Sequence, residues 1–165
     1  MSAKNQTTCS LMPDSVEVAN TLANWSVEYW DGEIPSISEK ELSLLFLRAA
    51  QTPENKLPKM IVAYVNGDLA GGVSIGEKDL PQYPMYKPWL GSLIVKPEYK
   101  DLGVGRELAI EAQRLAKRMG YKKMYAFTIH LTEWAKRWDW KVVASTTFRG
   151  IPVDVIEKSL HWDYI

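Results

Sequence analysis

The sequence predicts an α/β protein, and three observations carry the prediction. An apolar run at residues 90–95, a polar loop through Gly103 and Gly105, a long stretch of helical periodicity and a second apolar run at residues 124–129 form a strand–helix–strand unit whose strands must be parallel. Asn66 and Gly67 separate the β-rich runs MIVAYV and LAGGVSI, and Asn-Gly in that setting is the strongest short-range hairpin signal. Near the end of the chain, VVASTTF and PVDVIEKSL flank Arg149 and Gly150 and read as a second hairpin.

Taken in order, residues 8–12 suit a short edge strand. A first helix follows Pro13, with Asp14 as the expected N-cap and Val16, Ala19, Leu22, Ala23 and Trp30 at helical spacing. Ser38 and Glu41 make a Ser-x-x-Glu capping box that opens a second helix through Leu42, Leu45, Leu47 and Ala50. Pro53 and Pro58 break the chain before the hairpin, and residues 78–88 hold prolines and tyrosines in what should be an irregular loop. In the central helix Val104, Leu108, Ala112, Leu115 and Met119 share a face, whereas Arg106, Glu107, Gln113, Arg114 and Lys117 lie elsewhere. Gly120, after Lys117 and Arg118, suits its end. A short helix then places Leu131, Trp134, Ala135 and Trp138 on one face, with core packing the expectation for Trp25, Trp134 and Trp138.

A chain of 165 residues supports one domain, residues 1–165, with a sizeable core. Zero net charge argues against the global field of a nucleic-acid binder. The lone Cys9 forms no internal disulfide, no signal-peptide h-region opens the chain, and no apolar run approaches the roughly 20 residues that span a bilayer. A soluble, cytoplasmic protein with no nucleic-acid or membrane partner is expected.

The functional expectation centres on the entrance to the central helix. Glycines at 103 and 105 let the backbone approach a ligand closely, and a helix start without an obvious Ser, Thr, Asp or Asn cap leaves its amides and positive dipole end for an anion. Lys96, Lys100 and Arg106 add positive charge. A bare Gly-x-Gly also serves tight packing alone. Leu108 stands where a dinucleotide fingerprint needs its third glycine, and no Gly-Lys-Ser/Thr follows for a P-loop.

The segment IVKPEYKDLGVGREL resembles the acetyl-coenzyme A motif of the GCN5-related N-acetyltransferases, Arg/Gln-x-x-Gly-x-Gly/Ala after a strand and Pro-Glu-Tyr, here with Lys100 in the first position. Two N-terminal helices, the hairpin, DLP and PWL before the central strand and the closing FRGIPVDVIEKSL hairpin follow the same family's order. The resemblance implies a central mixed sheet, flanked by helices, whose parallel central strands splay to admit the pantetheine arm. Backbone groups of Leu93, Ile94 and Val95 would pair with that arm. The amides of Lys100, Asp101, Leu102, Gly103, Val104 and Gly105, with Arg106, would hold the pyrophosphate. Because backbone supplies most of this grip, Lys100 is a small departure. No metal is implied.

By the same resemblance, an amine attacks the thioester, a central-strand amide steadies the oxyanion and coenzyme A leaves. Many relatives protonate the thiolate with a tyrosine in a phrase like Phe-Tyr-x-x-Leu-Gly-Phe; Ala135 occupies that tyrosine's place, and Asp139 replaces the glycine. A thiol of pKa about 8.5 is a tolerable leaving group without an acid. Neutralising a lysine of pKa about 10.4 at pH 7 costs roughly 4.6 kcal/mol, against about 1.4 kcal/mol for an α-amine near 8, so a base is worth more than an acid. Candidate bases are Glu77, Asp79 and His130; a loop histidine, or a solvated loop charge for Glu77 and Asp79, is the more ordinary reading of each taken singly. Tyr125 and Thr128 could supply a hydroxyl, although strand residues are more often core. Trp30, Asp31 and Glu33 are candidates for an acceptor pocket that attracts a cation.

The leading expectation is an N-acetyltransferase acting on a primary amine of a small molecule or peptide. The alternatives are an acetyl-coenzyme A binding module, catalytically weak or inactive, serving as sensor or partner protein, and a nucleotide-binding protein. Whether acetyl or a longer acyl group moves, and whether the chain forms a homodimer, are open in the sequence.

Overall fold

A computed structural model describes residues 6–30 and 38–161. The strand β1 (Thr7–Leu11) precedes helices α1 (Val16–Tyr29) and α2 (Glu39–Gln51), followed by β2 (Lys59–Val65), β3 (Asp68–Gly76) and β4 (Trp89–Val95). A short 3-10 turn (Pro97–Tyr99) leads to α3 (Val104–Arg118), then β5 (Lys123–Thr128), α4 (Thr132–Lys136), β6 (Lys141–Phe148) and β7 (Ile151–Ser159). Among the described residues these strands form one mixed sheet in the order β1-β2-β3-β4-β5-β7-β6. The predicted α/β class and both hairpins are observed. The last hairpin enters the sheet by its second strand, so β7 lies between β5 and β6.

Local chemistry explains most boundaries. Asn66 and Gly67 both have positive φ (51° and 89°), as do Arg149 and Gly150 (50° and 81°), which is the backbone that a tight two-residue hairpin turn requires. Ser38 Oγ accepts from the Glu41 amide at 3.2 Å, the capping contact expected for α2. At α1 the structure corrects the expectation: the cap is Ser15, whose Oγ accepts from the Val18 amide at 3.2 Å, and Asp14 instead accepts from Gln51 Nε2.

Two apolar layers sandwich the sheet. Val104, Leu108, Ala112 and Ala116 of α3 pack with Ile61, Val73, Ile75, Met124 and Ile156 on one face. Ala19, Leu22 and Ala23 of α1 and Phe46 of α2 pack with Met60, Val62 and Ile94 on the other. Gln113, placed by periodicity on the polar side of α3, is buried at 3% exposure, because the helix lies flat enough on the sheet to bury Ala109, Gln113 and Ala116 as well as the expected stripe.

The candidate site lies where β4 leaves β5. Ser74 lies opposite Gly91 and Gly72 opposite Ile94, so Ser92 and Leu93 together face the single residue Val73. This is a β-bulge, and Ser92 adopts φ 42° to make it. A bulge bends its strand. Parallel pairing of β4 with β5 is recorded only at Trp89 and Tyr125, with the Tyr125 amide also bonded to the Pro88 carbonyl at 2.9 Å. Beyond that point the two central strands diverge.

Candidate active site

The cleft between β4 and β5 ends at the start of α3. Gly103 is the N-cap residue, in the left-handed conformation (φ 80°, ψ 8°), with no side-chain capping bond. The first intrahelical bond runs from the Glu107 amide to the Gly103 carbonyl at 3.0 Å, so the amides of Val104, Gly105 and Arg106 open the helix without an intrahelical acceptor. A Cβ on Gly103 would meet nothing within 4 Å; the glycine serves backbone conformation and leaves open space above the amides. Lys100 and Leu102 amides turn inward, donating to the Pro97 and Tyr99 carbonyls at 3.2 and 3.4 Å. The loop therefore presents Gly103 to Arg106 more directly than its beginning, and Asp101 takes φ 67° to turn the chain between them.

Leu93, Ile94 and Val95 line the cleft from β4. Their side chains alternate, Ile94 into the α1 layer and Leu93 and Val95 toward the α3 layer. Around this edge, cations rest on aromatic faces: Lys100 Nζ lies 5.3 Å from the Tyr29 ring centre and Lys96 Nζ 5.7 Å from Trp25. Trp25, Glu28, Tyr29, Val95, Pro97 and Lys100 enclose a pocket of about 370 Å³ there.

The fold gives the three candidate bases different surroundings. Glu77 is exposed at the bend after β3. Asp79 folds back over the sheet: a Cβ on Gly76 would lie 2.1 Å from Asp79 Oδ1, and one on Gly91 2.7 Å from Oδ2 and 3.1 Å from Ser74 Oγ. Two glycines on neighbouring strands thus form the floor of a niche that holds this carboxyl, and burial pushes its pKa up to about 6. His130 is exposed after β5, and its ring stacks on Trp30 at 6.5 Å between centres and 17° between planes. Two candidates 100 residues apart in the chain are joined by that contact. Asp31 and Glu33 lie outside the described residues.

The hydroxyl candidates are engaged elsewhere. Thr128 Oγ1 accepts from the Leu131 amide at 2.8 Å, at the entry to α4. Tyr125 is stacked on Tyr86 at 4.2 Å, and burial together with Glu157 pushes its phenol up to about 12. Burial, with Glu111 and Glu107 adding, pushes the Cys9 thiol up to about 11, which leaves it a poor nucleophile. Ala135 is 3% exposed within the α3-side core, so its methyl faces packed protein. Trp138, expected in the core, is 40% exposed with the Arg106 guanidinium carbon 4.3 Å from its ring centre.

Sequence reasoning missed the glycine niche. Gly76 and Gly91 carry no motif, and only the antiparallel register that sets Ser74 against Gly91 brings them under Asp79. It also missed the bulge, since Ser92 in an apolar strand gives no signal of a positive φ.

Comparison with solved structures agrees with the architecture. An acetyltransferase of the GNAT family from Streptococcus pneumoniae superposes with a TM-score of 0.66 at 16% identity, over 94% of this chain and 99% of that one. An aminoglycoside 6'-N-acetyltransferase in complex with coenzyme A gives a TM-score of 0.71 at 15% identity, over 93% and 97%. The yncA protein of Salmonella typhimurium, solved with acetyl-CoA, gives 0.68 at 16% identity, over 96% of each chain. No curated protein sequence matches the chain. The profile of the acetyltransferase (GNAT) family matches residues 19–139, and with the diverging central strands and the uncapped helix behind them, this places the chain in the GNAT acetyltransferase family.

Proposed function

We propose that the protein is an N-acetyltransferase that moves an acetyl group from acetyl-coenzyme A to a primary amine by direct attack, with Asp79 as general base. The observation that carries the reading is the Asp79 carboxyl held over Gly91, one residue before the bulge that opens the cleft.

The cradle fits this co-substrate. Free amides at the start of α3, with Arg106 beside them, suit a pyrophosphate, and the edge of β4 from Leu93 to Val95 suits the amides of a pantetheine arm. When bound, acetyl-coenzyme A would supply an activated thioester. Residues Leu93 to Val95 of β4 would hold the arm, with Ser92, Gly91 and Asp79 next along the strand to meet its thioester end. The chain's own contribution is then specific. Asp79 takes the proton from the attacking nitrogen, and its pKa near 6 leaves it ionised at neutral pH yet far more basic than an ordinary aspartate. A β4 amide at the bulge would steady the oxyanion. Trp30 and His130 form an aromatic wall on the acceptor side.

A second reading is supported by Ala135. Its burial supplies no acid for the departing thiolate, which favours an acetyl-coenzyme A binding module acting as sensor or partner protein. The ordinary thiol pKa of about 8.5 makes the acid dispensable, so we favour turnover. Coenzyme A release from acetyl-coenzyme A, measured across aminoglycosides, polyamines, small amines and peptide N-termini, decides: release with an acceptor supports the enzyme, and firm binding with no release from any of them overturns it.

A further inference from the structure

The short helix α4 and its exit are more firmly held than five helical residues require. Trp138 and Trp140 amides both donate to the Ala135 carbonyl, at 2.9 and 3.1 Å. Asp139 turns the chain between them at φ 66°, and Trp140 is buried in the α3-side core. Beneath this turn, β7 contributes Lys158, 1% exposed, whose Nζ donates to the Trp138 carbonyl at 2.9 Å and lies 3.9 Å from Asp139 Oδ2. Burying an ammonium is costly unless it is paired and hydrogen-bonded, and the bond to the Trp138 carbonyl that offsets this cost also holds that backbone in place. What it holds is the backbone of a residue whose ring is left partly in solvent.

That ring faces Arg106. The guanidinium carbon sits 4.3 Å from the Trp138 ring centre, and Arg106 belongs to the first turn of α3, beside the amides that open the helix. An exposed arginine ordinarily samples many rotamers, and a binding site that must order it loses affinity in doing so. A planar aromatic shelf removes that loss while leaving the N–H fork free for a bidentate anion.

We propose that Trp138 is a positioning residue for the acyl donor: anchored through its carbonyl by Lys158, it holds the Arg106 guanidinium at the start of α3 in the orientation that receives a pyrophosphate. The inference rests on the reading of α3's start as the coenzyme A site, and goes beyond it by linking β7 and α4 to that site. It also accounts for a tryptophan that the helical pattern assigns to the core.

The test is a double-mutant cycle in the full chain, read by calorimetric titration with coenzyme A. Trp138→Leu should weaken binding about fivefold, equivalent to about 1 kcal/mol. Trp138→Phe should recover most of the loss, and Trp138→Leu in an Arg106→Ala background should cost nothing further. With a productive acceptor, the change should fall on KM for acetyl-coenzyme A and spare kcat. If Trp138→Leu does not fold, the cycle is run with Trp138→Phe, whose smaller loss must likewise vanish with Arg106→Ala. Unchanged affinity, or losses that add in full, overturns the positioning role alone. A wild-type protein that binds no coenzyme A overturns the cofactor reading and this role with it.

Discussion

The two flanks of the central cleft are built from different material. On the β4–α3 side the working groups are backbone: strand edge, left-handed glycine and free amides. On the side proposed for the acceptor they are side chains, Asp79 over its glycine floor and Trp30 against His130. Backbone groups depend on conformation and tolerate changes of side chain, so Lys100 in place of Arg or Gln is expected to cost such a site little. Side-chain groups depend on which residues meet in space, so one atom added or removed there changes the chemistry.

The sharpest test of this difference is Asp79→Asn. It should lower turnover by about 10²–10⁴-fold and leave coenzyme A affinity unchanged; a parallel loss of affinity would dissolve the division between the flanks. The same variant should gain stability. Because the folded carboxyl titrates above its ordinary value, its stabilising contribution is full below pH 3.8 and is lost as pH rises through about 6. Wild type therefore carries a desolvated carboxylate at pH 7, and Asn should raise its stability by up to about 3 kcal/mol there, an advantage that disappears near pH 4. Turnover of the wild type, conversely, should climb with pH through about 6.

A smaller effect is expected from Gly103→Glu. Its φ of 80° strains any other L-residue, and a carboxylate beside the open amides repels phosphate, so coenzyme A affinity should fall by about tenfold or more in calorimetry. Undiminished binding would move the cradle elsewhere. Next comes Ala135→Tyr, which the family pattern suggests as a way to restore an acid. With Ala135 buried, a phenol overfills the core and should cost about 1–3 kcal/mol in urea unfolding, with no gain in turnover. Smallest of all, His130→Ala removes a ring pair at the acceptor wall and should raise the acceptor KM about threefold while kcat holds, whereas a collapse of kcat would make His130 the base in place of Asp79.

Much of the fold was legible because local rules point one way. Asn66-Gly67 demands a hairpin, Ser38 caps α2 as its spacing suggests, and strand, helix and strand of the observed lengths leave parallel pairing as the solution. At α1, where the sequence pointed to Asp14 as cap, geometry chose Ser15. The uncapped start of α3, proposed as the backbone half of the site, was legible for the same reason: a glycine pair at a helix entrance is a local signal.

The remainder was decided by contacts between distant residues. A single-residue mismatch between β3 and β4 makes the bulge that opens the sheet, and register alone carries Gly76 and Gly91 beneath Asp79. Burial there then shifts a carboxyl by a margin that no composition encodes. The sequence by itself determined the elements, the hairpins and an anion-ready helix start, since each depends on neighbours within a few residues. Tertiary structure alone enclosed Asp79 over its glycine niche, left Glu77 and His130 exposed and turned Trp138 toward Arg106, since solvation and proximity belong to the assembled chain.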